Sequence, residues 1–224
     1  MSTAARPSPR RAPKPPPSAR SYGDPCGIAR ALDVIGERWA LLVARELVLG
    51  PRRFTELMAG LTGVSRNVLS QRLRELESAG VVERRPGALY ALSDWGLDLH
   101  PILLALGRWG ARSPRTVAGG LGGDALMVAL EATFQADKAK DLRATLELRI
   151  ADQRYTATID RGALAVTRGG PRRADAILAS DAATLRAQVF GDATPASAPM
   201  AIEGDGRLAR RFLRMFARPP TAQR

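Results

Sequence analysis

Asn67, Ser70, Gln71 and Arg74, with Ser78 beyond them and Arg66 beside them, are side chains that can read DNA. The amides of Asn and Gln pair bidentately with adenine in the major groove, the guanidinium of Arg pairs with guanine, and a Ser hydroxyl bonds a base or a phosphate oxygen. They read sequence only if one rigid element presents them together. Leu69, Leu73 and Leu76 fall at i, i+4 and i+7, so they form an inward stripe on a helix. At about 100° per residue the four readers lie opposite that stripe. Ser65 is placed to cap this helix, which should run to about Ala79. Upstream, Phe54 and Leu57 mark the buried side of a shorter helix and Gly60 to Gly63 supply the turn. Downstream, Val81 to Arg85 and Ala88 to Leu92 are short strands around Pro86-Gly87, a hairpin with Arg84 and Arg85 near its tip. Those arginines would meet phosphates or an adjacent minor groove. A polar helix face alone is ordinary surface. Turn, cap, stripe and wing in this order make it a recognition face.

The flanks extend the pattern. Cys26 to Leu57, with its Gly-Glu-Arg-Trp step at Gly36 to Trp39, resembles the opening of the HxlR-type winged-helix regulators. Leu69 to Glu77 and Tyr90 to Gly96 resemble their recognition helix and the passage from wing to last helix, so the resemblance covers about Cys26 to Gly110. It implies a homodimeric, cytoplasmic bacterial transcription factor that sets one recognition helix per subunit into successive major grooves of a double-stranded operator. The family's DNA-contacting positions then fall on Ser65, Arg66, Asn67, Ser70, Gln71 and Arg74, with Arg84 and Arg85 in the wing. The resemblance also places much of the dimer interface on the first helix and on a helix expected over Asp94 to Gly110. The latter carries Trp95, Leu99, Ile102, Leu103, Leu106 and Trp109, and Pro101 should kink it. Packing on its own domain is the other arrangement open to it. Some members of the family sense oxidants or electrophiles through a Cys near the position of Cys26, whose place near a helix N-terminus favours a thiolate. An inert packing residue is the alternative.

Composition sets outer limits. The 224 residues are 45% hydrophobic, enough for one large or two small folded domains, and carry a formal net charge of +12. Such a charge favours a polyanionic partner, whether nucleic acid or an anionic membrane surface. Residues 1–21 hold five basic and no acidic groups and read as a disordered, basic, Pro-rich arm. Residues 22–112 carry 12 basic against 10 acidic groups, so their positive charge must be arranged by face rather than by excess. No apolar run is long enough to span a bilayer and no secretory signal opens the chain, which makes the cytoplasm the expected compartment. With a single Cys and a single His, His100, neither an intrachain disulfide nor a histidine metal site is expected. His100 reads as helix surface. No nucleophile and base pair up, and the Gly119 to Gly123 run lacks the strand and Lys of a P-loop, so an enzyme or a bound cofactor is not expected.

That glycine run belongs to a linker expected over 113–123, beyond which a second domain spans 124–217 and a disordered tail 218–224. Asp124 to Ala136 has helical period, and strands alternate at 144–150 and 155–159, with two more near Leu164 and over Ala174 to Ala179. Helices return at Asp181 to Val189, capped by Ser180 or Asp181, and at Gly206 to Ala217. The expected class is therefore α+β: a winged helix-turn-helix, a linker, then an antiparallel sheet covered by helices. Through this order and the Met200 to Gly206 step, the second half resembles the sterol-carrier-protein-like fold. That resemblance implies a tunnel for a fatty-acyl or similar apolar ligand, lined here by Leu146, Leu148, Tyr155, Phe212, Met215 and Phe216. A filled core is the alternative. The sequence thus points to a DNA-binding regulator whose second domain takes an apolar effector that changes the spacing of the recognition helices. A lipid carrier using its winged helix for protein association, or a regulator sensing through Cys26, are the other readings.

Overall fold

The computed structural model describes residues 21–115, 119–191 and 199–222, and the chain divides after Glu37 into two compact units. In the first, α1 (Gly27–Ile35) buries none of its residues, and Ile28 and Leu32 are exposed. Asp33 holds the preceding chain, accepting from Ser21 Oγ (2.8 Å) and from the Tyr22 N–H (2.9 Å). Apart from Ser21, the expected basic arm lies outside the described residues.

The second unit begins with α2 (Ala40–Leu47), the two-residue strand β1 (Arg52–Arg53), α3 (Phe54–Gly60) and α4 (Arg66–Ser78). Gly63 turns the chain between α3 and α4 at φ +88°, a conformation that only glycine adopts without cost. Ser65 then takes an extended conformation and its Oγ accepts the Val68 N–H (3.3 Å), satisfying one orphan donor of α4. Leu69, Leu73 and Leu76 are fully buried, as their spacing demands. The wing is β2 (Val82–Arg85) and β3 (Leu89–Leu92), and β1 adds a third antiparallel strand in the order β1-β3-β2. The expected single helix over 94–110 is instead two: α5 (Asp94–Leu97), capped by Ser93, and α6 (Leu99–Gly110). Pro101 is the third residue of α6, and the interruption at Asp98 falls one turn before it, where a proline can neither donate to the Leu97 carbonyl nor fit beside it.

After the Gly-rich run, α7 (Gly123–Thr133) packs directly against α6 and α2. The expected linker therefore joins two halves that share a contact. A short 3₁₀ turn (Ala136–Ala139) leads into β4 (Arg143–Ile150), β5 (Gln153–Asp160) and β6 (Ala163–Arg168), followed by β7 (Ala176–Ser180), α8 (Ala182–Phe190), β8 (Ala201–Gly204) and α9 (Gly206–Leu213). Asp181 caps α8 by accepting the Thr184 N–H (2.6 Å), which settles the choice between it and Ser180.

The sheet corrects the expectation of purely antiparallel pairing. Its order is β6-β5-β4-β7-β8, and β7 pairs parallel with β4. After β6 the chain does not turn back in a hairpin. Residues 169–175 cross β5 and β4 instead: the Gly169 N–H donates to Arg154 O (2.8 Å), Thr156 Oγ1 donates to Gly169 O (2.8 Å), and the Asp175 N–H donates to Thr145 O (2.8 Å). The polar side chains of alternate β4 and β5 positions lie on that crossed face. There Glu147 is almost completely buried, and the guanidinium groups of Arg149 (3.1 Å) and Arg154 (2.5 Å) hold its carboxyl below the usual carboxylate range. The other face carries Leu146, Leu148, Tyr155, Ala157 and Ile159 into a core closed by α7, α8 and α9. Phe212 and Phe216 meet edge to face there, with ring centres 5.0 Å apart. The stretch expected as a disordered tail is described to Ala222, whose N–H donates to Arg112 O (2.8 Å) after α6.

Candidate nucleic-acid interface and its buried anchor

On α4, Ser65, Arg66, Asn67, Gln71 and Arg74 are exposed and Ser70 is half-buried, all away from the leucine stripe. The arrangement brings donors and acceptors of both kinds onto one rigid surface. Arg66 lies over the Phe54 ring of α3, its guanidinium carbon 5.4 Å from the ring centre. Gln71 Nε2 donates to Glu75 Oε1 (3.0 Å), which orients the amide along the helix. Val68, 36% exposed in the first turn, was not singled out from the sequence, because its neighbours Asn67 and Leu69 carry the pattern. An apolar side chain there suits a thymine methyl.

The wing arginines are exposed and each is matched to a carboxylate. Arg84 pairs with Glu77 of α4 (2.8 Å) and stacks on Tyr90 (4.4 Å to the ring centre), while Arg85 pairs with Glu83 (2.5 Å). Surface pairs of this kind contribute little, so a phosphate can replace the carboxylate at low cost. Cation–π contact with Tyr90 keeps Arg84 beside the wing whichever anion it holds.

A second polar constellation adjoins the wing sheet. Asp124, at the start of α7, is 2% exposed and binds Arg52 of β1 and Arg168 of β6 (2.5 Å to the latter). Tyr155 Oη donates to its other oxygen (2.8 Å), and burial together with the Asp124 charge pushes the phenol well above its ordinary pKa. Gly123 is required at this point: a Cβ there would lie 2.5 Å from Tyr155 Oη. Arg168 also donates to the carbonyls of Glu46 (3.0 Å), Gly50 (2.9 Å) and Pro51 (3.2 Å), so a side chain of the second half caps the C-terminal end of α2. Because Arg52 faces Tyr90 across the β1–β3 ladder, the anchor adjoins the strand on which Arg84 stacks. Sequence reasoning missed Arg52, Asp124 and Arg168. An isolated Arg or Asp signals nothing until the fold joins positions 72 and 44 residues apart.

Two expectations change here. Leu146, Leu148, Tyr155, Phe212, Met215 and Phe216 do not line a tunnel among the described residues. All are packed into the core, with the Tyr155 hydroxyl committed to Asp124, because α7 and α9 close onto the sheet through side chains large enough to fill the space. His100 is not plain helix surface either: its Nε2 lies 2.9 Å from Glu131 Oε2 of α7, and Glu131 Oε1 accepts the Val166 N–H (2.8 Å). The Glu131 carboxylate raises the His100 pKa, against an opposing effect of burial. Cys26 is exposed at the N-terminal end of α1, where backbone N–H groups of Ile28 and Ala29 lower its thiol pKa. The described residues contain no His, Cys, Asp and Glu cluster able to hold a metal, and no helix long and apolar enough to cross a membrane.

The profile of the HxlR-like helix-turn-helix family matches residues 34–116. The uncharacterized HTH-type transcriptional regulator YvaP of Bacillus subtilis (strain 168) is 41% identical over 86 residues, 36% of this chain and 80% of YvaP. Rv3095 of Mycobacterium tuberculosis (strain ATCC 25618 / H37Rv), also described as an uncharacterized HTH-type transcriptional regulator, is 40% identical over 89 residues. That stretch is 37% of this chain and just over half of Rv3095, 56%. Among solved structures, quinone-bound YodB from B. subtilis aligns over 37% of this chain and 93% of its own, at 31% identity and a TM-score of 0.35. Residues beyond 116 lie outside the family match.

Proposed function

The chain belongs, through residues 34–116, to the HxlR-like helix-turn-helix family of transcriptional regulators, and on that premise we propose that it is a dimeric, sequence-specific DNA-binding regulator whose second half governs the first. The observation that carries this reading is the α4 face: Arg66, Asn67, Gln71 and Arg74 stand exposed on a helix fixed by three buried leucines and a Ser65 cap. A face so held can enter a major groove with its polar groups already aligned. Arg84 and Arg85 then take phosphates beside it. Dimerisation is supported by α5 and α6, where Trp95, Ile102 and Trp109 remain more than half exposed, an apolar surface that a monomer would leave in water. The Asp124 anchor supports control by the second half, since it ties that half to the end of α2 and to the wing sheet.

Fluorescence anisotropy with duplexes tiled across the DNA flanking its own gene tests the reading. One tile should bind about 10³-fold or more tighter than scrambled DNA at physiological salt, and binding should weaken steeply as salt rises. Equal affinity for every tile and for scrambled DNA would remove it.

A further inference from the structure

On the exposed face of α4, Gln71 is braced from within its own helix. Its Nε2 donates to Glu75 Oε1 (3.0 Å), and Glu75 Oε2 is held in turn by the buried Arg72. Chemistry fixes the direction of the first bond. A carboxylate can only accept, so the Gln71 amide must turn its nitrogen toward Glu75 and leave its oxygen and its second N–H for an outside partner. Because Arg72 pins the carboxylate, the amide is offered in one orientation rather than two.

That orientation selects a base. Adenine alone presents a donor and an acceptor side by side on its major-groove edge, N6–H and N7, whereas guanine presents two acceptors, cytosine a donor, and thymine an acceptor with a methyl group. An amide that shows one oxygen and one N–H matches adenine, and against guanine its oxygen would face O6. Val68 adds a second determinant. It stands three residues before Gln71 in the first turn of α4, 36% exposed, with its own N–H taken by the Ser65 cap. Residues so spaced are neighbours on a helix surface at about 5–6 Å, or about one to two base-pair steps of roughly 3.4 Å. The feature of a base edge that suits a branched apolar side chain is the thymine methyl. We propose that α4 reads an adenine together with a nearby thymine: Gln71, oriented by the Arg72–Glu75 pair, takes the adenine edge, and Val68 packs on a thymine methyl about one or two base pairs away. Glu75 and Arg72 are positioning residues and act through Gln71.

These roles rest on the DNA-binding function proposed above, and single base analogues placed in the preferred tile test them without changing its sequence. 7-Deazaadenine removes the N7 acceptor from one adenine at a time, and deoxyuridine removes the methyl group from one thymine at a time. By anisotropy on the full chain, at least one 7-deazaadenine position should weaken binding about fivefold or more. A deoxyuridine within about two base pairs of it should weaken binding about threefold or more, the order expected for one methyl group. Gln71→Ala should erase the adenine penalty and keep the thymine penalty, and Val68→Ala should do the reverse. Glu75→Ala should shrink the adenine penalty about twofold or more, since an unbraced amide must be ordered on binding. Circular dichroism should then show unchanged helix content, and affinity for scrambled DNA should not fall. Glu75→Gln keeps an acceptor for the Gln71 amide and should restore most of the penalty. An adenine penalty that persists in Gln71→Ala, a thymine penalty that persists in Val68→Ala, or equal adenine penalties in the parent and Glu75→Ala would each overturn the proposal. A preferred tile indifferent to every analogue removes this assignment and leaves the regulator reading standing, whereas the absence of any preferred tile removes both.

Discussion

The arginines of α4 and the arginines around Asp124 are the same residue type in opposite circumstances. Arg66 and Arg74 are exposed on a helix surface, whereas Arg52 and Arg168 are drawn into a junction around a carboxylate that water does not reach. The first pair is placed to act on something outside the molecule. The second has its partners inside it. Burial, rather than residue type or local spacing, separates recognition from support, and the protein uses both.

The sharpest way to break this contrast is to remove the carboxylate. Asp124→Ala leaves two guanidinium groups without their buried counter-charge, and should cost roughly 3–5 kcal/mol in urea denaturation, as for other broken buried pairs. A loss below about 1 kcal/mol, the range of surface pairs, would place the junction with the wing arginines instead. On the recognition side, Arg66→Ala and Gln71→Ala should leave the urea midpoint almost unchanged and each reduce discrimination between operator and scrambled DNA by about 1–3 kcal/mol. Arg84→Ala should weaken all sequences alike. If the three variants lose operator and scrambled DNA equally, the division between base reading and phosphate holding on this face fails.

The smallest effect concerns His100, which is half in each category: a partly exposed ring against a buried Glu131. Its pKa in the folded protein is raised above the ordinary 6.5, chiefly by the hydrogen bond to Glu131. The protonated ring therefore adds stability that is fully present below about 6.5 and is lost as pH rises through the elevated folded value. Stability should fall modestly over that interval in the parent and fall less in His100→Gln. Identical pH profiles for the two chains would mean that the contact between α6 and α7 does not depend on this charge.

What could be seen in the sequence follows the range of the contacts. The hairpin of α3 and α4, the Ser65 cap, the leucine stripe and the wing are all decided within a few residues of one another, so periodicity and capping chemistry suffice to find them. The hairpin of β4 and β5 was visible for the same reason. The Asp124 anchor and the parallel placement of β7 depend on residues far apart in the chain. Tyr155 shows the limit well. Its alternation placed it correctly on the buried face of β5, but only the approach of α7 at Gly123 decides that its hydroxyl meets Asp124 rather than a ligand.

The crossing of residues 169–175 over the sheet has a consequence for how the chain assembles. β7 hydrogen-bonds to β4, yet it reaches that edge only by passing across the already paired β4 and β5, using Arg154, Thr156 and Thr145 as footholds. The hairpin is the platform on which the parallel strand docks, and β8 pairs in the sheet only with β7. Pairing of this long-range kind fixes long chain segments before it rewards them, and such contacts slow folding. The α3–α4 hairpin and wing, built from neighbours in sequence, can form while that platform is still being laid down.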